Sequence, residues 1–187
     1  MEGTTESKIL AISPVFSYSP DGDRFCVIDK GRVRLEEVGR RLTAEETGGL
    51  VAIYVVEQPE PEYNDGPSTH GRVVALVRPL PMPSGRHVQD YPSGCIDAKK
   101  LLQTGARVDR WPVGWPCEVV FYSAHGGPAL RDAVYTALHR DYGTFTHQFL
   151  QGPIDLSKYA YRPLRHRLLQ EVHRQIELNP QTRIRSF

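Results

Sequence analysis

The apolar residues of this chain occur in short runs that are separated by turn-forming residues. Two of the runs, Leu50–Val56 (LVAIYVV) and Val73–Val77 (VVALV), are continuous and rich in β-branched residues. This pattern is typical of strands that are covered on both faces. Further strands are predicted over Lys8–Val15, Arg24–Asp29, Cys117–Ser123 and Thr144–Leu150. Because a Ser-Pro-Asp-Gly turn signal separates the first two of these, we expect them to pair as a hairpin.

Helices are predicted where apolar residues recur at every third or fourth position. An apolar residue recurs every four positions from Leu130 onward, which predicts an amphipathic helix between Pro128 and Gly143. A second apolar stripe predicts a long helix over Leu164–Leu178, which ends before Pro180. Two shorter helices are predicted over Val33–Leu42 and Ile96–Leu102.

These elements do not follow a strict βαβ alternation, which favours an α+β fold with a curved mixed or antiparallel sheet. The 187 residues correspond to a single domain, and no linker, repeat or low-complexity tract divides them. Apolar residues make up 40% and charged residues 24% of the chain, as in ordinary globular domains. No apolar run is long enough to span a membrane, and the first residues lack the basic segment of a signal peptide. We therefore expect a cytoplasmic protein.

The net charge of +1 hides an asymmetry along the chain. Residues 1–100 carry 12 basic and 15 acidic groups, whereas residues 101–187 carry 11 and 7. From Lys158 to the C-terminus, seven basic residues accompany only Glu171 and Glu177. Any surface that contacts a polyanion is therefore expected to involve the C-terminal end.

Motifs for metal, phosphate or covalent chemistry are not found. No two of the seven histidines have the i, i+4 spacing of a helical metal pair, and neither glycine-rich phosphate motif occurs. The sequence therefore indicates no metal site, no cofactor and no catalytic residues. His125, in the SAHGG segment after a predicted strand, fits a polar turn better than a catalytic group, because no nucleophile motif accompanies it.

The two tryptophans, Trp111 and Trp115, lie in the segment RWPVGWP, which leads directly into a predicted strand. One interpretation is that both indoles fill one end of a rolled sheet. The other is that they line a pocket for a planar ligand such as an unstacked base. In that case Tyr91, Ser93 and Asp97 are the polar groups expected to read the edge of the base.

The order of these features resembles the PUA-like superfamily, and its EVE, YTH and ASCH branches most of all. The resemblance is carried by an opening strand with a proline (ILAISP), a helix, the strands VAIYVV and GRVVALV, and the later W-P…W-P segment. It covers about residues 8–150 and leaves a basic helical extension over about residues 155–187. The resemblance implies that the sheet closes into a small barrel. EVE and YTH members hold a modified base in an aromatic-walled pocket, which implies a similar pocket here.

We expect a non-enzymatic protein that binds nucleic acid and reads a modified base, with DNA preferred over RNA as the partner. The flipped base would stack on Trp111 or Trp115, and arginines of the C-terminal helix would contact phosphates. These arginines are Arg162, Arg165, Arg167 and Arg174.

Two other functions stay open. The first is an ASCH-like amidohydrolase that acts on a modified nucleoside, with Lys30 and Glu36, or His125, in catalytic roles. The segment Asp29-Lys30-Gly31-Arg32 with Glu36 loosely resembles the ASCH signature. The second is an interaction module that docks a partner through the helix over Leu164–Leu178, although its apolar stripe fits a core-facing helix better.

Overall fold

The computed structural model describes residues 9–15, 18, 25–28, 49–57, 69–80, 89–90, 113–151, 153–178 and 183–184. The strands are β1 (Ile9–Val15), β2 (Phe25–Ile28), β3 (Leu50–Val55), β4 (Val73–Pro79), β5 (Gln89–Asp90), β6 (Val113–Tyr122), β7 (Ile154–Asp155) and β8 (Arg183–Ile184). The helices are α1 (Leu130–Leu138), α2 (Tyr142–Thr146) and α3 (Arg162–Leu178), with 3-10 turns at His147–Gln151 and Tyr159–Tyr161. The α+β class and the long C-terminal helix are confirmed. The helices predicted over residues 33–42 and 96–102 lie outside the described residues.

The strands form one mixed sheet in the order β2-β6-β4-β3-β1-β7. β1 is parallel to β3, and the remaining described pairs along this order are antiparallel. The expected closure into a small barrel is wrong, because β2 and β7 end the order and do not pair with each other in the described part of the chain. The edge of β1 that a closing strand would need is occupied by β7, through the pairs Ala11↔Asp155 and Ile12↔Ile154.

The predicted hairpin between β1 and β2 is also wrong. β1 pairs with β3 and β7, whereas β2 pairs with β6. The physical reason is burial: Ile9, Ala11 and Ile12 are fully buried, so β1 must have neighbours on both edges and cover on both faces. A two-stranded ribbon would leave one of those faces in water.

Alternate residues of β3 separate the core into two layers. Leu50, Ala52 and Tyr54 pack with the helices on one face of the sheet, while Val51 and its alternate neighbours pack on the other face. This is the period of two that a strand imposes on its side chains. All six residues of β3 are buried, which confirms the interpretation of the continuous apolar run.

α3 covers the first of these faces. Leu164, Leu168 and Val172 are fully buried, as expected from the apolar stripe. The backbone N–H of Leu156 donates to the carbonyl of Leu10 at 2.8 Å, so the chain approaches α3 from beside the start of β1. After α3, β8 pairs with the last two residues of β6. α3 therefore crosses the sheet from the end where β1 begins to the end where β6 finishes.

The region after α1 differs from the prediction. α1 ends at Leu138 instead of continuing to Gly143, because His139 adopts a left-handed conformation with φ 52°. The side chain of Asp141 then accepts a hydrogen bond from the backbone N–H of Thr144 at 2.7 Å and starts α2. The strand predicted over Thr144–Leu150 is consequently helical, since α2 leads into a 3-10 turn.

Among the described residues, no helix is long and apolar enough to cross a membrane.

Candidate nucleic-acid interface

β6 is the strand on which the predicted site segments converge. Its first four residues, from Val113 to Pro116, pair with β2, and residues 117–122 pair with β4. β5 pairs with the first two residues of β6, and β8 pairs with the last two. We call the end of the sheet at which β6 starts the Val113 end, and the opposite one the Tyr122 end. They are about 30 Å apart along the nine residue steps of β6.

β5 brings the loop with the predicted polar groups to the Val113 end. Gln89 lies opposite Gly114, and Asp90 lies opposite Val113. The next residue of the chain is Tyr91, the first of those polar groups. The pairing thus aligns the chain just before Tyr91 with residues that lie between the two tryptophans.

β2 reaches the same end from the other side. Ile28 lies opposite Val113, and Cys26 lies opposite Trp115. Both β2 and β5 run antiparallel to β6, so both finish where β6 starts. The chain continues from Ile28 toward Lys30, which was a candidate for the amidohydrolase alternative.

Most of the predicted pocket residues cannot be placed individually. Trp115 lies in β6, where its backbone is described. Four pocket candidates and two amidohydrolase candidates lie outside the described residues: Trp111, Tyr91, Ser93 and Asp97, and Lys30 and Glu36. Their roles stay predictions.

His125 lies beyond the Tyr122 end, in an exposed position of the turn that joins β6 to α1. The Ser123 hydroxyl donates to the carbonyl of Gly126 at 3.1 Å, and the N–H of Gly127 donates to the carbonyl of Val73 at 3.0 Å. A Cβ at Gly127 would lie 2.3 Å from that same carbonyl oxygen. Gly127 is therefore required by the close approach of two backbones, and Gly126 has a φ of 77°, a conformation that favours glycine.

The four arginines predicted to contact phosphates lie on different sides of α3. At about 100° per residue, Arg167 and Arg174 share one side, and Arg162 lies roughly opposite them. Arg167 and Arg174 both face Glu171, with N···O distances of 2.7 and 3.8 Å. Arg165 is half-buried, and its Nε has no hydrogen-bond partner among the described residues.

A cluster that the sequence did not predict joins α1 and α2 to the end of β3. The Arg131 guanidinium donates to both carboxylate oxygens of Glu57, at 3.1 and 2.9 Å, and lies 4.6 Å from the ring centre of Tyr142. The Tyr142 hydroxyl is hydrogen-bonded to the hydroxyl of Tyr54, whose ring stacks on Phe149 at 5.4 Å. No sequence signal links these residues, because they come from separate elements.

The two tyrosine hydroxyls are hydrogen-bonded to each other, and the Tyr54 oxygen also accepts a hydrogen bond from the Glu57 backbone. Tyr54 is 2% exposed and Tyr142 is 9% exposed. Burial raises the pKa of Tyr54, and burial together with the neighbouring Tyr54 hydroxyl raises the pKa of Tyr142. Both groups stay protonated at neutral pH, so the pair holds two elements together and offers no base.

The described residues contain no group of three or more His, Cys, Asp or Glu side chains that could hold a metal ion. Cys117 is buried in the second core layer. The chain was compared with known proteins, and no family model, no curated protein and no solved structure matches it.

Proposed function

We propose that this protein binds nucleic acid and reads a modified base, which it holds at the Val113 end of the sheet. The base is flipped out of its duplex, preferably DNA, and stacks on Trp111 or Trp115. The loop that contains Tyr91, Ser93 and Asp97 supplies hydrogen bonds to its edge. The reader function itself is suggested by the resemblance to EVE and YTH domains.

The observation that carries the proposal is the pairing of β5 with β6. Residues 89–90 and 113–114 are far apart in the chain, yet they are hydrogen-bonded neighbours. The polar loop follows Asp90 in the chain, Trp111 precedes Val113 by two residues, and Asp90 and Val113 are paired. This pairing supports a pocket with an aromatic wall and a polar edge.

The test is a binding screen with duplexes that differ in one modified cytosine or adenine. We expect one modified duplex to bind more tightly than its unmodified counterpart. Replacing the stacking tryptophan by alanine should weaken that binding by about 1–3 kcal/mol, the usual contribution of a stacked base. The matched control is Tyr135→Ala, since Tyr135 is a 70% exposed aromatic residue on α1 and has no part in the pocket. Equal binding to all duplexes, or losses that only reflect unfolding of both tryptophan variants, would contradict the proposal.

A second function, hydrolysis of a modified nucleoside, is favoured by one observation. Ile28 pairs with Val113, so the chain leading to Lys30 leaves the sheet beside the proposed pocket. His125 belongs to the opposite end and does not support this site. Release of a hydrolysed product from modified nucleosides, and its loss in Lys30→Ala, would favour the enzyme over the reader.

A further inference from the structure

We infer that the exposed side of α3 and the turn before it bind a single nucleic-acid strand, with an unpaired base stacked on Tyr159 and phosphates held by Lys158 and Arg162. The partner, nucleic acid, is taken from the proposed function, and the inference rests on that function in this respect alone. It assigns a second contact surface, which needs no modified base.

Tyr159 is the most exposed large apolar side chain among the described residues, at 82%. It begins the 3-10 turn that leads into α3, and both Lys158 before it and Arg162 after it are exposed. An exposed ring between two cations provides both parts of a single-strand site, because bases stack on the ring and phosphates pair with the charges.

The surface continues along one side of α3. Residues spaced by three or four positions face the same way on a helix, and the exposed residues after Tyr159 follow this spacing. They are Arg162, His166, Gln170 and His173. We call this series, with Tyr159 and Lys158, the α3 ridge. It extends for about 20 Å, which is enough for several nucleotides.

The charge of the α3 ridge fits a polyanion. Residues 156–170 contain four Lys or Arg residues and no acidic residue. Asp155 lies just before this stretch, where its Oδ1 accepts a hydrogen bond from the Ser157 N–H at 2.9 Å. Glu171, the next acidic residue, is turned toward Arg167 and Arg174 on another side of the helix. Glu177 is exposed and lies on the side of the ridge, but it is 15 residues after Arg162, which is about 22 Å along the helix. Phosphates are therefore expected at the end of the ridge that contains Lys158 and Arg162.

The position of the ridge fits the proposed base pocket. α3 starts on the side of the sheet where β1 begins, which is also the side toward which the first half of β6 extends. A strand whose base enters the pocket could continue along the ridge. Binding of a strand to the α3 ridge does not depend on a base in the pocket.

The experiment measures binding of an unmodified oligothymidylate of about a dozen residues, because thymine bases hardly stack on each other. We expect Tyr159→Ala to weaken binding at least about fivefold and Tyr159→Phe to leave it unchanged, since phenylalanine keeps the stacking face. The double variant Lys158→Ala/Arg162→Ala should also flatten the slope of log K against log salt by about 1.4, the value for two lost single-strand phosphate contacts.

The matched control is Arg167→Ala/Arg174→Ala, which also removes two positive charges, but from the side of α3 that faces Glu171. The sequence predicted phosphate contacts for these two arginines, but both lie beside Glu171, on another side of the helix from the ridge. The control should keep most of the wild-type salt slope. Equal losses in the two double variants, undiminished binding by Tyr159→Ala, or equal competition by polyglutamate would overturn the inference. If the protein binds a modified duplex selectively but no single strand, the α3 ridge is wrong and the reader function stands. If it binds the single strand through Tyr159 but prefers no modified duplex, the reader function is wrong and the α3 ridge stands.

Discussion

The buried hydroxyl pair of Tyr54 and Tyr142 allows a quantitative prediction. In Tyr142→Phe the Tyr54 hydroxyl loses its side-chain partner and keeps only the hydrogen bond that it accepts from the Glu57 backbone, while it remains 2% exposed. A buried O–H group left without an acceptor costs about 1–3 kcal/mol. We expect each single variant, Tyr142→Phe or Tyr54→Phe, to lower the free energy of unfolding by an amount in this range.

The double variant should behave differently. When both hydroxyls are removed, no hydroxyl is left without an acceptor, and only the Glu57 backbone N–H loses the Tyr54 oxygen. Replacing both partners by apolar groups of the same shape can be nearly neutral. We therefore expect Tyr54→Phe/Tyr142→Phe to be more stable than the sum of the single effects predicts, with a coupling energy of about 1–2 kcal/mol. Urea unfolding of the four proteins, followed by circular dichroism, gives this coupling directly. Additive single effects would show that the hydroxyls do not depend on each other.

The same pair predicts a loss of stability in alkali. Both tyrosines have a folded-state pKa raised above the ordinary value of 10.0, chiefly by burial. Below pH 10 both states of the protein are protonated, and the stabilisation is fully present. Above pH 10 the unfolded chain releases protons that the folded chain retains, so stability falls as the pH rises. We expect the double phenylalanine variant to lose less stability between pH 9 and about 11 than the wild type. Identical pH profiles would refute this cause.

Three further variants test the fold. Gly127→Ala should lower the free energy of unfolding in urea by about 2 kcal/mol or more, because its Cβ would lie 2.3 Å from the Val73 carbonyl oxygen. The control is Gly143→Ala, which should cost less because its Cβ would meet only the Asp141 side chain, at 3.2 Å. Leu168→Ala should cost about 2–5 kcal/mol in thermal unfolding, since Leu168 is fully buried, and a cost near zero would contradict its place in the core. Asp141→Ala should weaken α2. Because the Thr144 backbone N–H lowers the pKa of Asp141, the wild type should lose this stabilisation as the pH falls below about 3.8. Helix content measured against pH in both proteins checks this.

The sequence was informative where burial alone decides the structure. β3 and β4 were predicted because strands covered on both faces need continuous apolar runs. α3 was predicted because its buried residues recur with the helical period. The end of α1 was missed, because the capping hydrogen bond of Asp141 restarts a helix where the apolar spacing continues unbroken.

Contacts between residues that are distant in the chain could not be predicted from the sequence in the same way. The parallel pairing of β1 with β3, the pairing of β5 with β6 and the Tyr54–Tyr142 contact all join residues that are distant in the chain. Local spacing carries no information about such partners, so the hairpin and the barrel were predicted wrongly. For the candidate site, the sequence indicated residue types, and the topology showed that β2 and β5 both pair with the start of β6.

The most direct test of the reader function uses the fluorescence of the two tryptophans. Trp111→Phe and Trp115→Phe each leave one indole, because the chain has only two tryptophans. A base that stacks on an indole should quench its emission. We predict that the preferred modified duplex quenches the emission of at least one single-tryptophan variant, while the unmodified duplex at equal saturation does not. Tight and selective binding with unchanged emission from both variants would contradict a tryptophan-walled pocket at the Val113 end.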